Sequence, residues 1–289
     1  MRDEPEPNNP SETPIRATDL WAVGLVALLV RAASLLIARA RSPYWGGFVV
    51  DDRAYHEWAL RLARGEDEGG VFFLSPLLSH VLAGVYAVVG ERPVVWLGIQ
   101  AVLGAFTAVA VAVVGARVFG RRAGLVGGGL VALHGPLVFA TESVLTETLH
   151  LALVWGALLA WPREGAGGLP RAVGVGLLAG LAVLARNYFV LALPLWAVAM
   201  WPRGRAAVLA FVAGAALGIA PATVHNLAAG EAVLVTSSGG VNLWLGNHPG
   251  ANGRLHLPPG MTVEAIQDPA RMARTFADAA EAEVGRELG

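Results

Sequence analysis

The side chains best placed to do chemistry are few and far apart: Arg31, the pair Asp51-Asp52 with Tyr55 one turn on, Glu147, Arg186, Asn226, and Asn242 and Asn247 in a Gly/Asn-rich stretch. A carboxylate with an ordinary pKa of about 3.9 is ionised at neutral pH and can accept a proton from a polarised hydroxyl. A guanidinium is planar and forked, and it matches phosphate oxygens. Asp51, Asp52 and Glu147 are also hard oxygen donors of the kind Mg or Mn prefers, though their spacing does not fix three ligands. Each has a plainer use. Asp51 and Asp52 open a helical pattern and can cap it, Glu142 and Glu147 can be turn residues, and Arg186 or Arg31 can snorkel to headgroups.

The elements that carry these residues are strongly apolar. Of 289 residues, 55% are hydrophobic and only 15% charged, against about 25% charged in soluble domains. The formal net charge of −1 argues against nucleic acid as a partner. With no cysteine, disulfides and thiolate metal sites are excluded. All basic residues besides histidine are arginine. Ala38-Arg39-Ala40 resembles a signal-cleavage site, but the long, acidic, proline-rich leader favours an uncleaved first helix.

A transmembrane helix needs about 20 apolar residues. Candidate spans run over 20–38, 94–116, 123–141, 146–161, 172–186, 188–201 and 206–224. Arginine returns at every second turn, as Arg117/Arg121/Arg122, Arg163/Arg171 and Arg203/Arg205, while the intervening turns hold Glu142, Glu147 and Arg186-Asn187. The positive-inside rule puts the arginine-rich turns in the cytoplasm. The parity closes if residues 76–90 form an interfacial or re-entrant helix. The expected fold is an all-α polytopic membrane protein with seven spans and two juxtamembrane helices (51–64 and 76–90) in the outer loop 39–92. Residues 1–18 form a cytoplasmic disordered leader, 19–225 the membrane module, and 226–289 the start of an outer loop or domain, whose last stretch reads as a helix cut short. Tyr55, Trp58, Ala59 and Leu62 share one face of the first interfacial helix and suit a membrane surface. The run from Val233 to Thr236 reads as strand-like.

The order of these features resembles the C-type glycosyltransferase (GT-C-type) fold, and within it the bacterial family 39-like enzymes related to protein O-mannosyltransferases and to the aminoarabinose transferases of lipid A. The resemblance covers roughly residues 20–255 and is carried by Arg31, Asp51-Asp52 with Tyr55, Ser75-Pro76-Leu77, Gly90, Arg117-Val118-Phe119-Gly120, Thr146-Glu147, the run Gly180 to Arg186, Asn226, and Ser238 to Asn247. It implies a module of seven spans with two juxtamembrane helices. It also implies transfer of a mannose-like sugar, with inversion, from a polyprenyl-phosphate donor to a protein, lipid or glycan hydroxyl on the outer face of a bacterial plasma membrane. Asp51 takes the position of the catalytic base, with Asp52 beside it. Arg186 and Arg31 are the candidates for the donor phosphate, and Tyr55, Glu147, Asn226, Asn242 and Asn247 are supporting or substrate residues. This chain has Leu74 and Ser75 where some relatives carry a charged residue beside the proline. A transporter or flippase of envelope precursors, or an envelope scaffold, are the rival classes. A transporter is expected to show repeated halves and ionisable residues near the bilayer centre, whereas no repeat is evident and the acids lie in outer loops.

Overall fold

The computed structural model describes residues 14–43, 45–48, 51–66, 69–162 and 168–247, together with positions 274, 278 and 281. Most of the expected leader, Arg163 and nearly all of the expected outer region beyond 247 lie outside the described residues. In chain order the helices are α1 (Ala17–Arg41), α2 (Asp51–Ala63), α3 (Leu77–Val89), α4 (Pro93–Phe119), α5 (Arg121–Leu133), α6 (Gly135–Phe139), α7 (Glu147–Leu159), α8 (Gly168–Ala185), α9 (Leu193–Met200), α10 (Arg205–Ala228) and α11 (Ser238–Asn247). Among the described residues there is no strand.

Four helices are long and apolar enough to cross a membrane: α1, α4, α8 and α10. A fifth joins them if α5 and the segment Gly135–Glu142, bent by 53° from it, form one broken span. The chain is therefore an all-α membrane protein. Its outward faces agree: Trp21, Leu29, Leu36, Leu195, Leu209 and Leu217 are all more than half exposed, which hydrocarbon solvates and water does not. The other two expected spans are shorter than their apolar runs. α7 has 13 residues, about 20 Å at 1.5 Å per residue. Residues 188–201 break into a 3-10 turn (Asn187–Ala192), α9 and a second 3-10 turn (Trp201–Arg203). Pro194 and Pro202 sit at the starts of the last two pieces, where a proline's missing N–H is tolerated.

Glycine sets how closely the long helices pack. A Cβ on Gly176 would lie 2.0 Å from the Phe211 carbonyl oxygen, and one on Gly214 2.1 Å from that of Val173. α8 and α10 thus meet backbone to backbone, the small-residue packing that holds helices together where no hydrophobic effect acts between them.

The arginine-rich turns converge at one end of the bundle. Arg117 Nη1 donates to the Leu159 carbonyl and Arg203 Nε to that of Pro162, each at 2.8 Å. Arg121 pairs bidentately with Asp19 at the start of α1, at 2.8 Å on both oxygens. Arg117 and Arg203 thus supply donors to carbonyls at and just beyond the C-terminus of α7. α2 and α3 pack on each other through Tyr55, Trp58, Ala59, Leu78, Leu82 and Tyr86. The apolar face of α2, expected at a membrane surface, is instead buried in protein, because α3 offers it a matching apolar face.

The strand expected over Val233 to Thr236 is absent. A strand needs a partner ladder, and this bundle has none. The amide of Asn226 takes the carbonyls of Val233 and Val235 at 3.1 and 3.0 Å, and the chain then enters α11.

Candidate active site

Asp51 is the first residue of α2. The residue is exposed. Burial pushes its pKa above the ordinary value, while the charge of Arg186 pulls it back down. Tyr55, one turn further along, is buried and feels both Asp51 and Arg186. Its hydroxyl accepts from the Ser75 backbone N–H, and burial raises its pKa. Asp51, Tyr55 and Arg186, although Arg186 is distant in sequence, thus lie close enough to act on one another's charge.

Arg186 comes to this point because α8 stops at Ala185. The backbone of Arg186 is extended, with φ −144° and ψ 103°, so the side chain leaves the helix end instead of lying along it. Its Nη2 forms an ion pair with Glu147 Oε1 at the start of α7, and its guanidinium lies 6.0 Å from the Tyr188 ring centre. Below, His150 Nδ1 donates to the Ala182 carbonyl at 3.0 Å. It ties α7 to the last turn of α8 and so fixes the two helix ends that carry the pair.

Asp52 turns the other way. Its carboxylate accepts from the Val144 N–H, so the capping role open at the sequence level is directed at a neighbouring segment. Burial, with Asp51 adding to it, pushes its pKa up to about 6, while the Val144 bond works against the rise. Beyond Asp52, His56 Nδ1 meets the Tyr86 hydroxyl at 2.8 Å and its Nε2 lies 3.3 Å from Glu91 Oε1. Burial pushes the His56 pKa down. A neutral ring then accepts from Tyr86 and donates to Glu91.

Asn226 is fully buried. Its oxygen accepts from Phe72 N–H at 3.0 Å, and its amide holds Val233 and Val235. All its contacts are to backbone, so it clamps the loop leading to Ser75 against the segment leading to α11. That segment reaches the site through Asn187, whose amide donates to Thr236 Oγ1 at 2.6 Å. Asn242 and Asn247 are exposed on α11, and the Asn247 amide bonds back to Leu243 at 2.7 Å.

The structure does not bring Arg31 to this cluster. It is 1% exposed, and its guanidinium donates to the carbonyls of Ala27, Ala132 and Val131 at 3.2, 3.2 and 3.4 Å. The reason is local. In a continuous helix the Ala132 carbonyl would be taken by residue 136, a proline without an N–H. The break at His134 also strands the Val131 carbonyl, and Arg31 reaches across from α1 to satisfy both. Gly104 makes room: a Cβ there would lie 2.2 Å from Arg31 Nε.

Glu142, expected as a solvated turn residue, is half-buried and accepts from Ser34 Oγ. Of the three carboxylates expected as possible divalent-cation donors, Asp51 feels the charge of Arg186. Glu147 is committed to Arg186 and Asp52 to the Val144 N–H. Among the described residues no three such ligands converge. Sequence reasoning missed His56, Tyr86, Glu91 and His150. The signals present were the i,i+4 spacing of Asp52 and His56 and the i,i+3 spacing of Glu147 and His150. Compared with known protein families, with curated proteins and with solved structures, the chain matches none.

Proposed function

We propose that this protein is a membrane glycosyltransferase that moves a sugar from a polyprenyl-phosphate donor to an acceptor hydroxyl on the non-cytoplasmic face. The observation that carries it is the charge of Arg186, a guanidinium held by Glu147 just past the end of α8, acting on the Asp51 carboxylate at the start of α2. In this reading all seven apolar segments cross the membrane, α7 and the broken segment 187–203 included. The arginine-rich turns face the cytoplasm by the positive-inside rule, and α2 and α3 lie on the outer side. The resemblance to family 39-like enzymes points the same way.

The chemistry follows from the two side chains. The acceptor oxygen attacks the anomeric carbon and forms the new C–O bond. The bond from that carbon to the phosphate oxygen breaks, and the lipid phosphate leaves with the electron pair, inverting the centre. The acceptor proton passes to Asp51, whose raised pKa makes it a better base than an ordinary carboxylate. Arg186 holds the phosphate charge, which grows as the bond breaks. Glu147 keeps the guanidinium aimed until the donor arrives, and the donor phosphate then competes for it. Such a leaving group needs no general acid, unlike a glycosidase with its paired carboxylates.

The test is transfer of labelled mannose from polyprenyl-phosphate mannose to membrane acceptors. Asp51→Asn is expected to lower the rate about 100-fold or more. Equal transfer by Asp51→Asn and the wild type removes the base assignment. No transfer by either, with labelled lipid moving across the bilayer instead, favours the flippase reading, for which the two broken segments at 134 and 187–203 are the supporting feature.

A further inference from the structure

A cavity of about 650 Å³ lies between the end of α1, the start of α2, the start of α4 and the turn after α6. It is within the size range of small-molecule sites. Three carboxylates line it: Asp52, Glu91 and Glu142. Each is oriented by a neutral donor: Asp52 by the Val144 N–H, Glu91 by the His56 imidazole, and Glu142 by the Ser34 hydroxyl. Such donors fix where the carboxylates sit without cancelling their charge. Among the described residues the only opposing cation lining the cavity is Arg92. Aromatic rings complete the wall: Trp45, Phe139, and Phe48, which stacks on His56 with ring centres 4.4 Å apart.

We propose that this cavity binds an amino sugar carrying a free ammonium group. Ring faces pack against the apolar face of a pyranose, and oriented carboxylates accept from its hydroxyls. Those two features alone would suit a neutral sugar. The excess of three carboxylates over one guanidinium is what selects an ammonium, which also gains from the rings. The same charge disfavours phosphorylated or carboxylated sugars. Because Asp52 is shared with the residue chain leading to Asp51, the bound sugar would be the acceptor. That last step rests on the transferase reading; binding itself does not.

The experiment uses the full chain in lipid nanodiscs without donor lipid, so its outcome is independent of transfer. Titration calorimetry compares the glucosamine disaccharide with free amines, its N,N′-diacetyl form, and a lysine-containing peptide with blocked ends. The free-amine disaccharide is expected to bind about 10-fold more tightly than the diacetyl form. Glu142→Gln and Glu91→Gln, each checked for an unchanged thermal melt, are expected to reduce that preference. Equal affinity for the two sugars overturns the proposal, as does tighter binding of the peptide or no saturable binding by any probe. Loss of this proposal with transfer intact leaves the function standing, and binding without transfer does the reverse.

Discussion

Arg31 inside α1 and Arg186 just past the end of α8 are the same side chain beside similarly apolar helices, and they answer to different demands. Around Arg31 the demand comes from the backbone. Pro136 leaves carbonyls without donors inside the bundle, and the guanidinium is spent on them. Around Arg186 no carbonyl claims the side chain. It pairs with Glu147 and acts on Asp51, just past the end of α8. The difference teaches that an arginine in an apolar helix is identified by what the neighbouring backbone lacks. Only where nothing nearby needs a donor is the guanidinium available for a ligand.

The largest effect should separate the two by stability. Arg31→Ala strands two buried carbonyls and leaves a void beside Gly104, at a cost of about 3 kcal/mol or more. A drop in the detergent melting temperature is the expected result, with transfer per folded molecule close to wild type. An unchanged melt would break the comparison. Arg186→Gln should show the opposite pattern, with a melt near wild type and transfer reduced about 100-fold or more, since one donor to a developing anion is lost. It should also raise the pH at which transfer fails in acid, because Arg186 no longer lowers the Asp51 pKa.

The smallest effect concerns Asp52. Its folded pKa of about 6 lies above the ordinary value of 3.8, so the ionised form costs stability above pH 6, and that cost disappears as pH falls below about 4. Asp52→Asn removes the charge and keeps an oxygen for Val144. It should therefore melt higher than the wild type at pH 7.5, with the gain vanishing near pH 4. A gain that persists at low pH would place the strain elsewhere than in the charge.

Much of the fold was legible because a membrane leaves a simple code. Apolar length marks α1, α4, α8 and α10, and the spacing of arginines marks the end where Arg117, Arg121 and Arg203 meet. The helical reading of 76–90 held as well, with α3 short and packed on α2. The candidate site was legible in part. Asp51 and Arg186 stood out as charges at the edges of apolar runs. Asp52 and Glu142 stood out as acids but not as neighbours of His56 and Glu91, since nothing in their local sequence says that four segments fold around one cavity. The strand-like run at 233–236 misled because branched residues favour extended backbone, and only the buried amide of Asn226 decides what that backbone pairs with.

By itself the sequence determined that this chain lives in a membrane, which segments are helical, and which charges are costly enough to need an explanation. Those follow from transfer energies and helix geometry, which act residue by residue. The tertiary structure alone decided which charge serves the fold and which is free for a ligand. A buried polar group takes whatever partner lies within about 3 Å, and which partners those are depends on helices brought together from a hundred residues apart.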